Sequence, residues 1–219
     1  MPGLRRAISD SFMNDLKKAV LYPLLERVQQ DQTLLLSIRN KYINIYYRGG
    51  NILRIKAKSD GSYSTSFDQK YCKSINSPIP QFPEIIRNQK DSEDCVGVLQ
   101  KLKLIVDRYF SSVRRGLERE FQQLIARENN FSSKSRISGY YVTDIEYEIL
   151  GARFDILTLQ HLVNKRKLNF RPAIIEMKYG DNSLEGKSGI IKHLKDIDNF
   201  IKDKKKYNTL LETMKSQWV

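Results

Sequence analysis

Cysteine is almost missing from this chain. Of 219 residues only Cys72 and Cys95 are thiols, far apart and without CxxC spacing. Neither a disulfide framework nor a zinc knuckle is expected, and each thiol reads as a small hydrophobe. Long apolar runs are missing as well. Nothing approaches the roughly 18 consecutive apolar residues of a membrane span, so no membrane partner is expected. The opening MPGLRRAISDSFM has no apolar core and soon carries an acid, which argues against a signal peptide and for a cytoplasmic setting. No internal repeat is visible. Acids are also in short supply, with 25 Asp+Glu against 38 Lys+Arg and a net charge of +13. A surplus of this size favours a polyanion as partner, through phosphate contacts and steering, over a merely basic soluble protein.

What is present suits a folded chain. Forty per cent of residues are apolar, with 12 Tyr and 9 Phe, and the length is enough to bury a sizeable core. Ile8, Phe12, Leu16, Ala19 and Val20 recur at helical spacing, which predicts a helix over 8–30, broken or kinked at Pro23. Residues 33–58 read as a strand meander, TLLLSIR, YINIYY and ILRIKAK, with Gly49-Gly50 supplying the hairpin turn. Tyr42, Asn44 and Tyr46 share one strand face. Arg54, Lys56 and Lys58 alternate with Leu53, Ile55 and Ala57 on the next strand. Such a hairpin suits nucleic-acid contact, with Arg48, Arg54 and Lys56 as candidate phosphate ligands. It equally suits an edge solvated by bases. A further short strand is expected at SYSTSF. The run with Pro78, Pro80 and Pro83 then marks the candidate boundary between an N-terminal element (1–83) and the remainder (84–219). A long helical pattern over 93–128, breakable at Ser111-Ser112 or Gly116, places Glu120 on the stripe of Val113, Leu117, Phe121 and Leu124, with Glu118 off it. A core-facing carboxylate needs a partner, either a buried base or a metal ion.

Three strand-length apolar runs with acids inside them follow, over 140–149, 152–160 and 172–179, with a basic loop expected at 161–171. If the last two pair about the middle of that loop, facing positions sum to about 331, and Asp155 lies opposite Glu176. Glu176 and Lys178 project from one face, and Ala173, Ile175 and Met177 from the other. Two facing carboxylates repel unless one protonates or a cation intervenes. A hard divalent cation on oxygen ligands relieves that repulsion, and a lysine beside it can orient water or stabilise a developing phosphorane. A plain ion pair at a sheet edge is the alternative. Asp144, Glu146 and Glu148 are expected to share an exposed face of the first strand.

Asp155 in RFDILTL and Glu176, Met177 and Lys178 in AIIEMKYG resemble the PD-(D/E)XK nuclease superfamily, and Glu120 resembles the acid many members carry on the preceding helix. The resemblance covers roughly residues 95–205. It implies an α/β (α+β) restriction-endonuclease-like core, αβββα(β), behind an N-terminal helix and β-meander. It also implies a Mg²⁺ or Mn²⁺ site and cleavage of nucleic acid, DNA ahead of RNA. Asp155, Glu176, Glu120 and the Met177 carbonyl would then ligate the metal, with Lys178 at the attacking water. Lys187, in the loop at 180–189, could meet phosphate. The helix over 190–206, with Ile190, Ile191, Leu194, Ile197 and Ile201 inward, would offer Lys192 to the site, or His193 as runner-up. Phe154 stands where the family motif has proline. Residues 207–219 read as helix, so the last strand of the core is not evident, and a homodimer or partner chain could complete the sheet. The alternative to a nuclease is an inactive member of the fold that binds nucleic acid or protein.

Overall fold

A computed structural model describes residues 6–112, 117–131, 138–149, 151–164, 167–178 and 189–217. The chain is α+β and divides into two compact units, one of residues 6–116 and one formed mainly by residues 117–219.

In the first unit, α1 (Asp10–Lys18) begins at Ser9, whose side chain accepts from the Phe12 N–H, and carries Asp10 in its first turn and Lys17 and Lys18 in its last. Both charge placements favour the helix macrodipole. Helix α2 (Tyr22–Gln30) has Pro23 in its first turn, where the missing N–H costs nothing, so the proline starts a second helix after a short break. Strands β1 (Leu34–Ile38), β2 (Tyr42–Tyr47), β3 (Gly50–Ala57), β4 (Tyr63–Ser66) and β5 (Ile85–Ile86) form an antiparallel sheet in chain order, with α3 (Lys70–Ser74) between the last two. The β2–β3 turn is built on Arg48 (φ 50°) and Gly49 (φ 75°), one residue earlier than the predicted glycine pair. Gly50 already lies in the ladder, where a Cβ would sit 2.9 Å from the Tyr71 hydroxyl. One sheet face buries Ile43, Ile45, Leu53 and Ile55 against Phe12, Leu16, Leu24 and Val28 of the first helices and Leu99, Leu102 and Val106 of α4 (Gln89–Ser112).

The predicted boundary at residue 83 is therefore displaced. Residues 84–112 pack with the meander, and the proline run crosses the surface of a single core. Thr65 and Cys95 are tied to the Pro83 carbonyl from either side of that run.

In the second unit, α5 (Leu117–Phe131) precedes an antiparallel meander of β6 (Tyr140–Ile149), β7 (Ala152–Asn164) and β8 (Lys167–Ile175). Helices α6 (Ile190–Lys202) and α7 (Lys204–Gln217) follow. The basic loop expected at 161–171 is instead the far end of a long β7–β8 hairpin. Strand pairing runs on from His161↔Phe170 to Asn164↔Lys167, and the His161 and Phe170 rings lie tilted with centroids 5.4 Å apart. Tyr147, Ile149, Phe154 and Leu157 of the sheet bury against Phe200 of α6 and Leu210 and Met214 of α7. No final strand occurs among the described residues after α6; the chain continues as helix.

Two helices present faces other than those expected. On α5 the buried residues are Gln122, Gln123, Ala126 and Arg127, whereas Phe121 and Leu124 are 40% and 50% exposed. Asn130 accounts for this orientation. Its amide donates to the Val142 carbonyl at 2.7 Å and accepts from the Val142 N–H at 2.8 Å, pairing like a strand residue at the irregularity between Val142 and Asp144. On α6 the inward residues are Ile197 and Phe200, with His193 half-buried, while Ile191, Leu194 and Ile201 form a separate exposed stripe.

Candidate active site

The β7–β8 ladder keeps a constant register in which partners sum to 331, from Asn164↔Lys167 to Ile156↔Ile175. The next positions are Asp155 and Glu176, and there β8 leaves the ladder. Residues 176–178 are not strand, a correction to the expected range of 172–179. Asp155 holds the departing chain, since its Oδ2 accepts from the Met177 N–H at 2.9 Å. A carboxylate accepting from a backbone amide replaces the missing ladder bond and fixes where Glu176 and Lys178 project.

Glu176 lies at the centre of the contacts. Its Oε1 accepts from Lys178 Nζ at 2.6 Å and faces His193 Nδ1 at 2.8 Å. Its side chain is 4% exposed and that of Lys178 9%. Oε2 is buried and has no hydrogen-bond partner among the described residues. Burial, seconded by the charge of Asp155, pushes the Glu176 carboxyl above its ordinary range against the opposing pull of Lys178 and His193. Burial lowers the Lys178 ammonium, but the hydrogen bond to Glu176 and the charges of Glu176, Asp155 and Glu118 raise it further, so it keeps its proton.

Sequence reasoning located Asp155, Glu176 and Lys178, and the structure brings these three together with His193. Between His193 and Lys192, the histidine faces the site; Lys192 is paired with Asp196 at 2.9 Å on an exposed face. The one-residue difference follows from the inward face of α6, which runs through 193, 197 and 200. Glu120 is half-buried on α5, but the acid of that helix whose charge acts on Lys178 is Glu118. A helical wheel phased on the outward stripe could not have found it. Lys187 lies outside the described residues.

The β6 acids do not share an exposed face. Asp144 is 5% exposed, accepting from the Ile145 N–H at 2.8 Å and from Gln217 at 3.0 Å. Glu146 (φ 51°) lies opposite Asp155, between the Ile145↔Ile156 and Tyr147↔Phe154 pairs, and its carboxylate engages Arg153 and Arg119. Only Glu148 is exposed as expected. The irregularity after Val142 and the left-handed Glu146 break the two-residue alternation, and no composition signal announces either. Arg48, a candidate phosphate ligand, is tied to Asp107 at 2.6 Å.

An orphaned, buried Glu176 oxygen beside the repelling charge of Asp155 is the environment a cation relieves. Among the described residues, however, no three His, Cys, Asp or Glu side chains form a group able to hold a metal ion. The fit extends to two carboxylates.

No protein-family description, curated protein or solved structure matches this chain.

Proposed function

We propose that the second unit is a metal-dependent nuclease that hydrolyses phosphodiester bonds of nucleic acid, DNA in preference to RNA. The observation that carries the reading is Glu176 Oε2, buried next to Asp155 with no hydrogen-bond partner among the described residues and flanked by Lys178 and His193. Supporting it are the helix–three strands–helix order, the departure of β8 from the ladder at the acid-x-lysine, and the basic charge of the chain. The sequence resembles PD-(D/E)XK nucleases at Asp155, Glu176, Met177 and Lys178, with Glu120 on the preceding helix.

Asp155 and Glu176 would hold Mg²⁺ or Mn²⁺, which supplies a Lewis acid for a phosphoryl oxygen and its attacking water. The chain's own groups have distinct tasks. Lys178 remains an ammonium at neutral pH. It therefore acts as a fixed positive charge toward the phosphorane and leaves proton abstraction to another group. His193, with Nδ1 toward Glu176, keeps Nε2 as the nitrogen able to exchange a proton. Asp155 positions the 176–178 segment through the Met177 amide. Its own bond to that amide leaves its other oxygen for a cation.

A second reading has its own observation. Glu176 Oε1 is already occupied by Lys178 and His193, and the metal ligands number two among the described residues. An inactive nuclease fold that binds nucleic acid or protein would look like this. Thermal melting with and without Mn²⁺ separates the two. The nuclease reading predicts a rise in Tm that Glu176→Gln abolishes; no rise in the wild-type chain favours the binding module.

A further inference from the structure

We infer that the outer face of the β1–β4 sheet, in the first unit, is a binding surface for single-stranded nucleic acid. The inference names the form of the substrate, and it rests on the nuclease reading only for the fate of the bound strand.

Register places the relevant side chains in two rows across the sheet. Tyr42 faces Lys56, which faces Ser64; Asn44 faces Arg54, which faces Ser66. The alternate residues Ile43, Ile45, Leu53 and Ile55 are fully buried beneath, so these rows have only the outer side to occupy. Arg54 and Lys56 are exposed, and Tyr42 is partly so. The Arg54 guanidinium lies over the Tyr42 ring at 4.7 Å and donates to Asn44 Oδ1 at 3.3 Å. The cation and the ring are thus already oriented together, and less side-chain freedom is lost on binding.

Charge points to the same partner. Between Asp31 and Asp60 there is no acidic residue, while Arg39, Lys41, Arg48, Arg54, Lys56 and Lys58 fall within that span. Asp68 feels the Arg54 charge but is itself paired with Lys70 at 3.0 Å. A solvated edge strand protected by lysines would not need an aromatic ring held under a guanidinium. A phosphate backbone with unstacked bases uses both: the bases stack on the ring and the phosphates meet Arg54 and Lys56. A duplex keeps its bases stacked internally and would use the charges alone.

Fluorescence anisotropy of the full chain with labelled single-stranded DNA, single-stranded RNA and duplex DNA, all in EDTA, tests the surface without any cleavage. Single strands should bind at least about tenfold more tightly than duplex, and the DNA and RNA arms identify the polymer. Tyr42→Ala should weaken single-strand binding at least about fivefold and Tyr42→Phe should restore it. Replacing Arg54 and Lys56 together by glutamine should reduce the slope of log K against log salt by about 1.4. Equal affinity for single strand, duplex and heparin, with Tyr42→Ala silent, would overturn the proposal in favour of unspecific charge attraction. If Tyr42→Ala unfolds the first unit, Lys56→Glu at its exposed position carries the test, and undiminished binding there overturns the proposal. Sheet-dependent binding without Mn²⁺-dependent cleavage overturns the nuclease reading alone.

Discussion

Glu176 is subject to opposed influences. Burial and the Asp155 charge favour its neutral form, while Lys178 and His193 favour the carboxylate. Because the net folded value is raised above the ordinary 4.5, the folded state binds more protons than the unfolded one just above that pH. The stability contribution of this group therefore falls as pH rises through that window, and the deficit persists at higher pH. Glu176→Gln cannot titrate, so relative to wild type its stability should improve between pH 4 and pH 7 in urea melts. A variant that instead loses ground over that interval would mean Lys178 and His193 outweigh burial. At this scale much of the site was legible. An acid two residues before a lysine, opposite an acid on the paired strand, gave three of the four convergent side chains. His193 needed the rotation of α6, which depends on which of two apolar stripes the core takes.

The same difficulty recurs among elements. Amphipathic periodicity finds helices well: α1, α2 and α6 lie within the expected stretches, while α4 and α5 overlap the 93–128 pattern and overrun its two ends by four and three residues. Periodicity does not say which side of a helix meets the core when the helix has an apolar stripe on its outer side. On α5, Asn130 and the edge of β6 decide the matter. Leu124→Gln should accordingly change stability by no more than about 0.5 kcal/mol, and Ala126→Asp should cost several times that by burying a charge, measured by denaturant melts. The opposite ranking would restore the wheel phased on Val113 and Leu124.

The junction of α2 and α4 offers a pH test. Burial pushes Asp31 upward, but hydrogen bonds from Lys103, at 2.5 Å, and Thr33 outweigh it and bring the carboxyl down to about 2. A depressed folded value means stability that is present above the unfolded value of 3.8 and lost as pH falls toward about 2. Asp31→Asn should lower stability at pH 7 by roughly 2 kcal/mol and remove about that much from the acid-dependent loss. An unchanged acid limb would show that this pair is not what links the two helices.

At the scale of the molecule there are two cores, a helix-backed five-stranded sheet and a helix-backed three-stranded one. The candidate boundary was read from the prolines at 78–83, whereas the two compact units divide at 116. Proline interrupts secondary structure; it does not tell whether the next helix returns to the same core, as α4 does. The division gives the account its functional outline: a basic, aromatic sheet face proposed to hold a strand, and a carboxylate–lysine–histidine cluster proposed to cut it. The direct test is incubation of the full chain with end-labelled single-stranded DNA and Mn²⁺. The account predicts cleavage that EDTA stops and that Lys178→Ala lowers by at least about a hundredfold, the scale of losing one transition-state charge donor. Cleavage that survives both EDTA and Lys178→Ala, or no cleavage by a folded wild-type chain with Mn²⁺ or Mg²⁺, would contradict it.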